Sequence, residues 1–416
     1  MIYDLIIIGA GAAGLFAAAN APDHFKTLVL EKTKTPGNKL LLTGNGQCNL
    51  TNNEPIKAFL TRYGDKGKYL RPVLFPFSNL ALMGFFEENA LPLTIREDGK
   101  VFPKSMKSKD IVNLLLKLSH KPDVTFRYGV EIKEIVQWSE AEILGYSIQA
   151  TDGIYKSKNV LVATGGESYP QTGSDGTFFS CLERLGLSLV PRRPALTPIF
   201  VQNYPYSELS GLTFSNCVIE IISEESNTVP NNKNRIKVEG SLLLTHKGFS
   251  GPAVLEISRY IKPGDKLTVN YLPDKIHDSL RRTLLKTAAE GSKQIITVLE
   301  STTSLPRRFL ELICDSSNIA KDEKASRLTG KEMGALAERL TADSYNINDT
   351  GGFSTAMVTA GGVDLDEVNL RTMEAKQHPG LYFAGEVLDI DGDTGGYNLQ
   401  FAFSSAMCAI KAMQHS

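Results

Sequence analysis

Ile6-Ile7-Ile8-Gly9-Ala10-Gly11-Ala12-Ala13-Gly14-Leu15-Phe16 is the stretch that decides the fold. Tyr3–Ile8 is an apolar run without alternation, the pattern of a parallel strand covered on both faces. Gly9, Gly11 and Gly14 follow at fixed spacing, and an alanine-rich helix runs to about Asn20. Thr27–Leu30 then reads as a second strand, ending at the acidic Glu31. This is a βαβ unit with the residues that a dinucleotide requires. Gly9 makes the tight turn, Gly11 lets the backbone approach a pyrophosphate, and Gly14 lets the helix pack on the strand. The pyrophosphate would rest on the helix N-terminus, where free N–H groups and the dipole favour an anion, and Glu31 would accept ribose hydroxyls. Ala10, Ala12 and Ala13 complete the loop.

The same segment imitates a secretion signal, because it is apolar and Ala19-Asn20-Ala21 resembles a cleavage site. No Lys or Arg precedes Lys26, however, and Asp4 and the spaced glycines interrupt the run. A buried strand and helix are expected, in a cytoplasmic protein. The chain has 416 residues, 42% hydrophobic and 22% charged, which excludes intrinsic disorder and a fibrous repeat. Its formal charge of −1 sets up no global field for nucleic acid or anionic lipid. Five widely spaced cysteines without a CxxC argue against a disulfide framework or a zinc site, and no metal is expected.

Further along, Ile111–His120 has helical spacing. Val124–Tyr128, Glu131–Val136, Tyr146–Ala150 and Ile154–Tyr155 read as strands, with a hairpin at Asp152-Gly153. Asn159–Ala163 reads as another buried strand, ending in Thr164-Gly165-Gly166. From about residue 187 short β-type runs (Val218–Ile222, Ser241–Thr245, Lys266–Tyr271) alternate with turn residues, which suggests a small barrel or sandwich. A helical block follows from about Asp278 to Ala342, and strand and glycine signals return from Thr350. The expected domains are a discontinuous one from 1–186 and 346–416, an inserted barrel over 187–273, and a helical subdomain over 274–345.

Three other stretches carry chemistry. Gly380-Leu381-Tyr382-Phe383-Ala384-Gly385-Glu386 reads as a buried strand ending in Gly-Glu, with the acid at a ribityl or pyrophosphate group. Gly395-Gly396-Tyr397-Asn398-Leu399-Gln400 precedes a helix, expected over Phe401–Met413, whose N-terminus would face the flavin N1–C2=O edge and favour the negative charge of the reduced ring. There Asn398 and Gln400 are either ligand contacts or ordinary caps. Leu42–Asn52, with Gly44, Asn45, Gly46, Gln47 and Cys48, reads as a loop, lying either against a planar ligand or at the surface over a buried Cys48. Asp389, Asp391 and Asp393 lack the rest of a calcium loop and read as turn residues near the ribityl chain. Gly361-Gly362 suits close approach to the ring. A motif this near the N-terminus, with the rest of its domain returning at the C-terminus, is the arrangement of FAD rather than NAD.

Gly37-Asn38-Lys39-Leu40 through Asn49-Leu50-Thr51-Asn52, Gly99-Lys100-Val101-Phe102-Pro103, Ala163-Thr164-Gly165-Gly166 with Ser168-Tyr169-Pro170 and Thr172-Gly173-Ser174, Thr359-Ala360-Gly361-Gly362-Val363, and Gly380–Ser405 together resemble the YhiN/BaiN-type family of NAD(P)/FAD-dependent oxidoreductases, also described as aminoacetone-oxidase-like flavoproteins. The resemblance implies an α/β fold. Both chain ends would form a Rossmann-like FAD-binding domain of the glutathione-reductase type, carrying an inserted β-barrel and a small helical domain. It implies FAD held at Gly9, Gly11, Gly14, Glu31, Lys32, Lys39, Gly44–Cys48, Val130, Ala163, Thr164, Gly165, Gly362, Gly385, Glu386, Asp389, Gly396 and Asn398–Phe401; the binding is expected to be non-covalent, because no His or Cys lies in an obvious flavinylation context. Two departures stand out. Asn45 replaces a third glycine, and Gln47 replaces an arginine.

The resulting expectation is an FAD-dependent oxidoreductase that reduces an activated double bond with NAD(P)H, which visits the flavin transiently because the chain holds only one GxGxxG. An O₂-using amine oxidase and a flavin-dependent rRNA uridine reductase are the alternatives. A small-molecule substrate leads, rRNA stays open through a slight basic excess in the insertion, and no membrane partner is expected. The oligomeric state is open. Cys48 is the candidate general acid, with packing against the ring as the alternative reading. The insertion is expected to supply substrate specificity.

Overall fold

The computed structural model describes residues 1–140, 143–223, 235–289 and 291–414. Two compact units emerge. One joins Met1–Ala195 to Phe353–Ser416, and the other is Leu196–Gly352. The boundaries expected at 186/187 and 345/346 therefore fall at 195/196 and 352/353. The difference arises because Leu189–Ala195 pairs antiparallel with Val358–Val363 inside the first unit, while Asp343–Thr350 belongs to the barrel of the second.

In the first unit, β1 (Ile2–Ile8) lies at the centre of a nine-stranded sheet. It pairs in parallel with β2 (Thr27–Glu31) on one side and with Gly153–Val162 on the other. Val124–Tyr128 extends the parallel sheet beyond β2, and Leu381–Phe383 extends it beyond Gly153–Val162. Leu5, Ile6, Ile7 and Ile8 are buried, as the unbroken apolar run requires. Helix α1 (Ala12–Asn20) covers one face together with the C-terminal helix.

Three expectations are corrected here. Ile154–Tyr155 and Asn159–Ala163 are not separate strands. They belong to the single strand Gly153–Val162, whose first half pairs antiparallel with Ile143–Ala150 and whose second half pairs parallel with β1. The residue pattern changes midway because the neighbours change. Leu42–Asn52 is not wholly a loop. Helix α2 (Asn38–Gly46) runs helically to Leu42 and breaks at Thr43, where ψ reaches 141°. Thr51–Asn52 then joins Lys100–Pro103 and Leu93–Ile95 in a three-stranded sheet. The C-terminal helix starts at Tyr397 rather than Phe401, capped by Gly396, so Asn398–Gln400 lie in its first turn.

The second unit is a closed six-stranded barrel in the order Ile199–Val201, Gly248–Ser250, Arg235–Leu244, Thr213–Ile222, Lys266–Asn270, Asp343–Thr350. Four helices, from His277–Ala289 to Gly330–Thr341, lie between its last two strands in sequence. Barrel and helices share one apolar core. Within that core Asp343, 1% exposed, accepts hydrogen bonds from Tyr206 (2.6 Å), Tyr271 (3.2 Å), Tyr345 and Arg339 (2.7 Å). Burial and the adjacent carboxylate raise all three phenols well above the ordinary tyrosine range, so they remain donors. Asp343→Ala leaves three buried phenols without an acceptor, at about 1–3 kcal/mol each. Denaturant unfolding followed by circular dichroism should show a loss of at least about 3 kcal/mol, whereas a loss below about 1 kcal/mol would mean that the cluster adds little.

Candidate functional site

A cleft of the first unit opens at the end of β1, where the glycine motif turns the chain into α1. Gly9 has φ +99°, a value that side-chain-bearing residues rarely adopt. A Cβ on Gly14 would stand 1.9 Å from the Gly9 carbonyl oxygen, so α1 packs directly against the turn. A Cβ on Gly11 would meet nothing within 4 Å. It would project into open space at the helix N-terminus. Helix α1 has no side-chain cap and no acidic residue in its first turn. Its first N–H groups have no intrahelical partner, and the cleft is where an anion reaches them.

Glu31 stands at the end of β2 and lines the cleft. Its Oε2 accepts from the Ala10 N–H (2.6 Å), and its Oε1 accepts from the Thr33 N–H (2.8 Å) and hydroxyl (2.7 Å). A carboxylate has about four acceptor positions, so one remains for a ligand hydroxyl. Ser174, 7% exposed, also lines the cleft, and its buried Oγ has no hydrogen-bond partner. An orphaned buried hydroxyl beside a glycine-lined anion cradle and an acid is what a bound nucleotide would complete. These residues therefore fit a dinucleotide.

The other end is built around Glu386. Its Oε1 accepts from Lys39 (3.0 Å), the Ser168 hydroxyl (2.8 Å) and the Thr359 N–H (2.7 Å), and its Oε2 accepts from Lys39 (2.7 Å). Lys39 also donates to Ser168 Oγ at 2.6 Å. All three Lys39 N–H directions are thus occupied, so the lysine positions Glu386 and is not a free phosphate ligand. Glu386 Oε2 keeps acceptor capacity toward the cleft. Lys32 is similarly engaged, with Asp175 (2.6 Å), Glu131 (3.0 Å) and Thr177 (3.0 Å). Burial opposes its charge, but the Asp175 and Glu131 carboxylates hold it above the ordinary lysine range.

The cleft brings together Gly9–Ala13, Glu31, Lys32, Lys39, Val130, Ala163, Thr164, Gly165, Gly385, Glu386, Asn398, Leu399 and Phe401. Other expected contacts lie outside its lining. Gly14 is the packing contact already described. Gly362 abuts the Val387 carbonyl and Gly396 abuts the Thr51 backbone. Asp389 is buried, accepts from the Gly361 N–H (3.1 Å) and pairs with Lys66. Gln400 is wholly buried, accepting from Thr51 (2.7 Å) and donating to Ser404 (2.9 Å) and the Phe77 carbonyl (3.2 Å). Its side of the helix faces the core, which the sequence does not reveal. Gly44, Asn45, Gly46 and Gln47 follow the break after Thr43, which does line the cleft.

Cys48 is corrected as a general acid. It is 0% exposed, packs in the apolar core and does not line the cleft, and burial pushes its thiol up to about 12. Ser168, Ser174 and Thr359 were missed. The Thr172-Gly173-Ser174 run was visible in sequence, but nothing local marked the hydroxyl as unpaired.

A family model described as "HI0933-like protein Rossmann domain" matches residues 3–412. The chain is 33% identical over 413 residues to the ribosomal RNA dihydrouridine synthase of Escherichia coli, covering 97% of this chain and 96% of that protein. It is 29% identical over 419 residues to the 3-dehydro-bile acid delta(4,6)-reductase of Clostridium scindens, covering 98% of each. Among solved structures, an FrdA variant of E. coli quinol fumarate reductase shares the fold at a TM-score of 0.50 and 14% identity, over 100% of this chain and 70% of that one.

Three outcomes are expected. Gly11→Val fills the open space at the α1 N-terminus, so it should abolish dinucleotide retention while leaving the melting temperature near wild type. Gly14→Ala should instead lower the melting temperature, because its methyl group overlaps the Gly9 carbonyl. Retention of a full cofactor complement by Gly11→Val would show the motif to be a turn only. Cys48, with a thiol pushed up to about 12, should stay unlabelled by a thiol reagent at pH 8 until the protein unfolds; rapid native labelling would refute its burial.

Proposed function

The chain belongs to the HI0933-like protein Rossmann domain family, and on that premise we propose that it is an FAD-dependent oxidoreductase that saturates a carbon–carbon double bond conjugated to a carbonyl, with NAD(P)H as the electron source. The observation that carries this reading is the cleft itself: an open pyrophosphate cradle at Gly11, with Glu31 at one end and Glu386 at the other. A dinucleotide with a hydroxyl-bearing group at each end matches that order of donors and acids, since β2 and the strand Leu381–Phe383 lie on opposite sides of β1. When bound, FAD would supply hydride transfer between the nicotinamide and the electron-poor carbon of the substrate, with the balancing proton for the neighbouring carbon coming from solvent.

The chain's own residues bind and orient. The first turn of α1 holds the pyrophosphate through its N–H groups. Glu31 accepts ribose hydroxyls, and Ser174 adds one hydrogen bond within the cleft. Lys39 and Ser168 hold Glu386 so that Oε2 accepts from a ribityl hydroxyl. The helix beginning at Tyr397 directs its N-terminus, and the cleft-lining Asn398, toward the ring. A single GxGxxG leaves the nicotinamide as a visiting reactant.

Both relatives are named for such reductions, one of a uridine in rRNA and one of a bile-acid skeleton. Anaerobic stopped-flow measurements separate the possibilities. NADH or NADPH should bleach the flavin absorbance, and a conjugated enone or uridine should restore it faster than buffer alone. Bleaching by aminoacetone with peroxide formation, and none by either nicotinamide, would replace this reading with an amine oxidase.

A further inference from the structure

The segment 172–177 crosses the end of β1. On one side Gly173 meets the chain leaving β2, where a Cβ on it would stand 2.6 Å from the Thr33 side chain and 3.9 Å from Glu31 Oε1. On the other side Ser174 meets the chain leaving Gly153–Val162, with its Oγ 2.9 Å from where a Cβ on Gly165 would stand. β1 lies between those two strands, so the segment passes over the turn that forms the pyrophosphate cradle. All six of its residues line the cleft. Gly173 and Gly176 hold φ of 96° and 76° on either side of Ser174-Asp175, which gives the crossing a joint at each end. Beyond those joints the chain is anchored. The Thr172 hydroxyl donates to the Tyr169 carbonyl at 2.7 Å, and Phe179 is buried in the core.

Lys32 ties the crossing down. It follows the last residue of β2 and donates to Asp175 Oδ2 (2.6 Å) and Thr177 Oγ1 (3.0 Å) on the segment, and it pairs with Glu131 (3.0 Å) beside β2. Asp175 also accepts from the Thr177 N–H (3.2 Å) and hydroxyl (2.8 Å), which fixes the carboxylate toward the lysine. An ammonium has three donors, and all three are spent within the protein. Lys32 and Asp175 are half-buried and Glu131 is exposed, so the tie stands at the mouth of the cleft rather than on its floor. Without the lysine, two carboxylates would face each other there. Ser174 is the group that faces inward. It is buried, and its Oγ has no hydrogen-bond partner among the described residues. A ligand oxygen bonded to it would stabilise the closed position and not an open one.

We propose that residues 172–177 are a strap over the Glu31 end of the cleft, that Lys32 is its latch, and that a dinucleotide enters or leaves its seat only when the strap lifts. This rests on the reading of the cleft as an FAD site and deepens it. Lys32, expected as a cofactor contact, instead sets the rate of cofactor exchange. The pyrophosphate seat at the N-terminus of α1 lies beneath the crossing, so the strap bars the way out along β1. Lys32, Asp175 and Glu131 are positioning residues, and Ser174 is the strap's own contact with the ligand.

The test is the rate at which the FAD-loaded full chain exchanges its cofactor for isotopically labelled FAD in large excess, read beside amide hydrogen exchange of the same loaded protein. Lys32→Met and Asp175→Asn should each exchange FAD about fivefold faster than wild type, the size of one lost, partly exposed ion pair. Lys32→Arg, which keeps the charge, should exchange near the wild-type rate. In Lys32→Met the amides of 173–178 should lose protection while those of Ala12–Asn20 keep theirs, which separates a lifted strap from a loosened fold. The inference is overturned if Lys32→Met or Asp175→Asn exchanges FAD at the wild-type rate, or if Lys32→Arg exchanges as fast as Lys32→Met. It is also overturned if Lys32→Met releases FAD faster with 173–178 still fully protected, because the lysine would then be a direct ligand contact. Wild type that takes up no FAD would remove the FAD reading itself, whereas wild type that holds FAD beside variants that exchange it no faster would remove only the strap.

Discussion

A methyl group on residue 14 would stand 1.9 Å from the carbonyl oxygen of Gly9, so α1 lies against the end of β1 at a distance that only a bare backbone allows. That contact fixes the direction of the helix, and the direction of the helix decides where its unpaired N–H groups point. The opening at Gly11 and the hold of Glu31 on the Ala10 N–H follow from the same turn. A shift of one ångström there would misplace every donor meant for a pyrophosphate, since such donors act within about 2.7–3.2 Å.

The second constraint is electrostatic. Glu386 comes from the C-terminal part of the chain, Lys39 from α2, and Ser168 and Thr359 from two further segments. One carboxylate gathers all of them. Partly buried charges are tolerated only when paired and hydrogen-bonded, and Lys39 meets that need without leaving a free cation in the cleft. The cleft therefore presents acceptors at its two ends and N–H donors in its middle. That distribution suits a molecule with hydroxyls at each end and negative charge between them. The barrel unit is organised on a different principle, with Asp343 gathering three phenols inside an apolar core.

Much of this was legible in the sequence because the relevant signals are local. The run Tyr3–Ile8, the glycine spacing and Glu31 all fall within the first 31 residues, and their geometry follows from backbone sterics. The Gly385-Glu386 turn and the alanine-rich final helix were readable for the same reason. What stayed hidden depends on which way a side chain faces. Gln400 sits one residue from the cleft-lining Leu399 and Phe401, yet it points into the core and serves Thr51 and Ser404. Cys48 lies in a polar, glycine-rich stretch but turns inward, because the left-handed residues before it reverse the chain. Thr359 and Ser168 are 191 residues apart and meet only in three dimensions.

The claim on which the account depends is that the cleft holds FAD as a complete dinucleotide. It is tested most directly by the mass of the cofactor released from the purified, flavin-reconstituted protein by acid. The account predicts FAD, released intact and in stoichiometric amount, because the cradle at Gly11 and the acid at Glu31 serve a pyrophosphate and a second ribose. Release of FMN, or of no flavin at all, would contradict it.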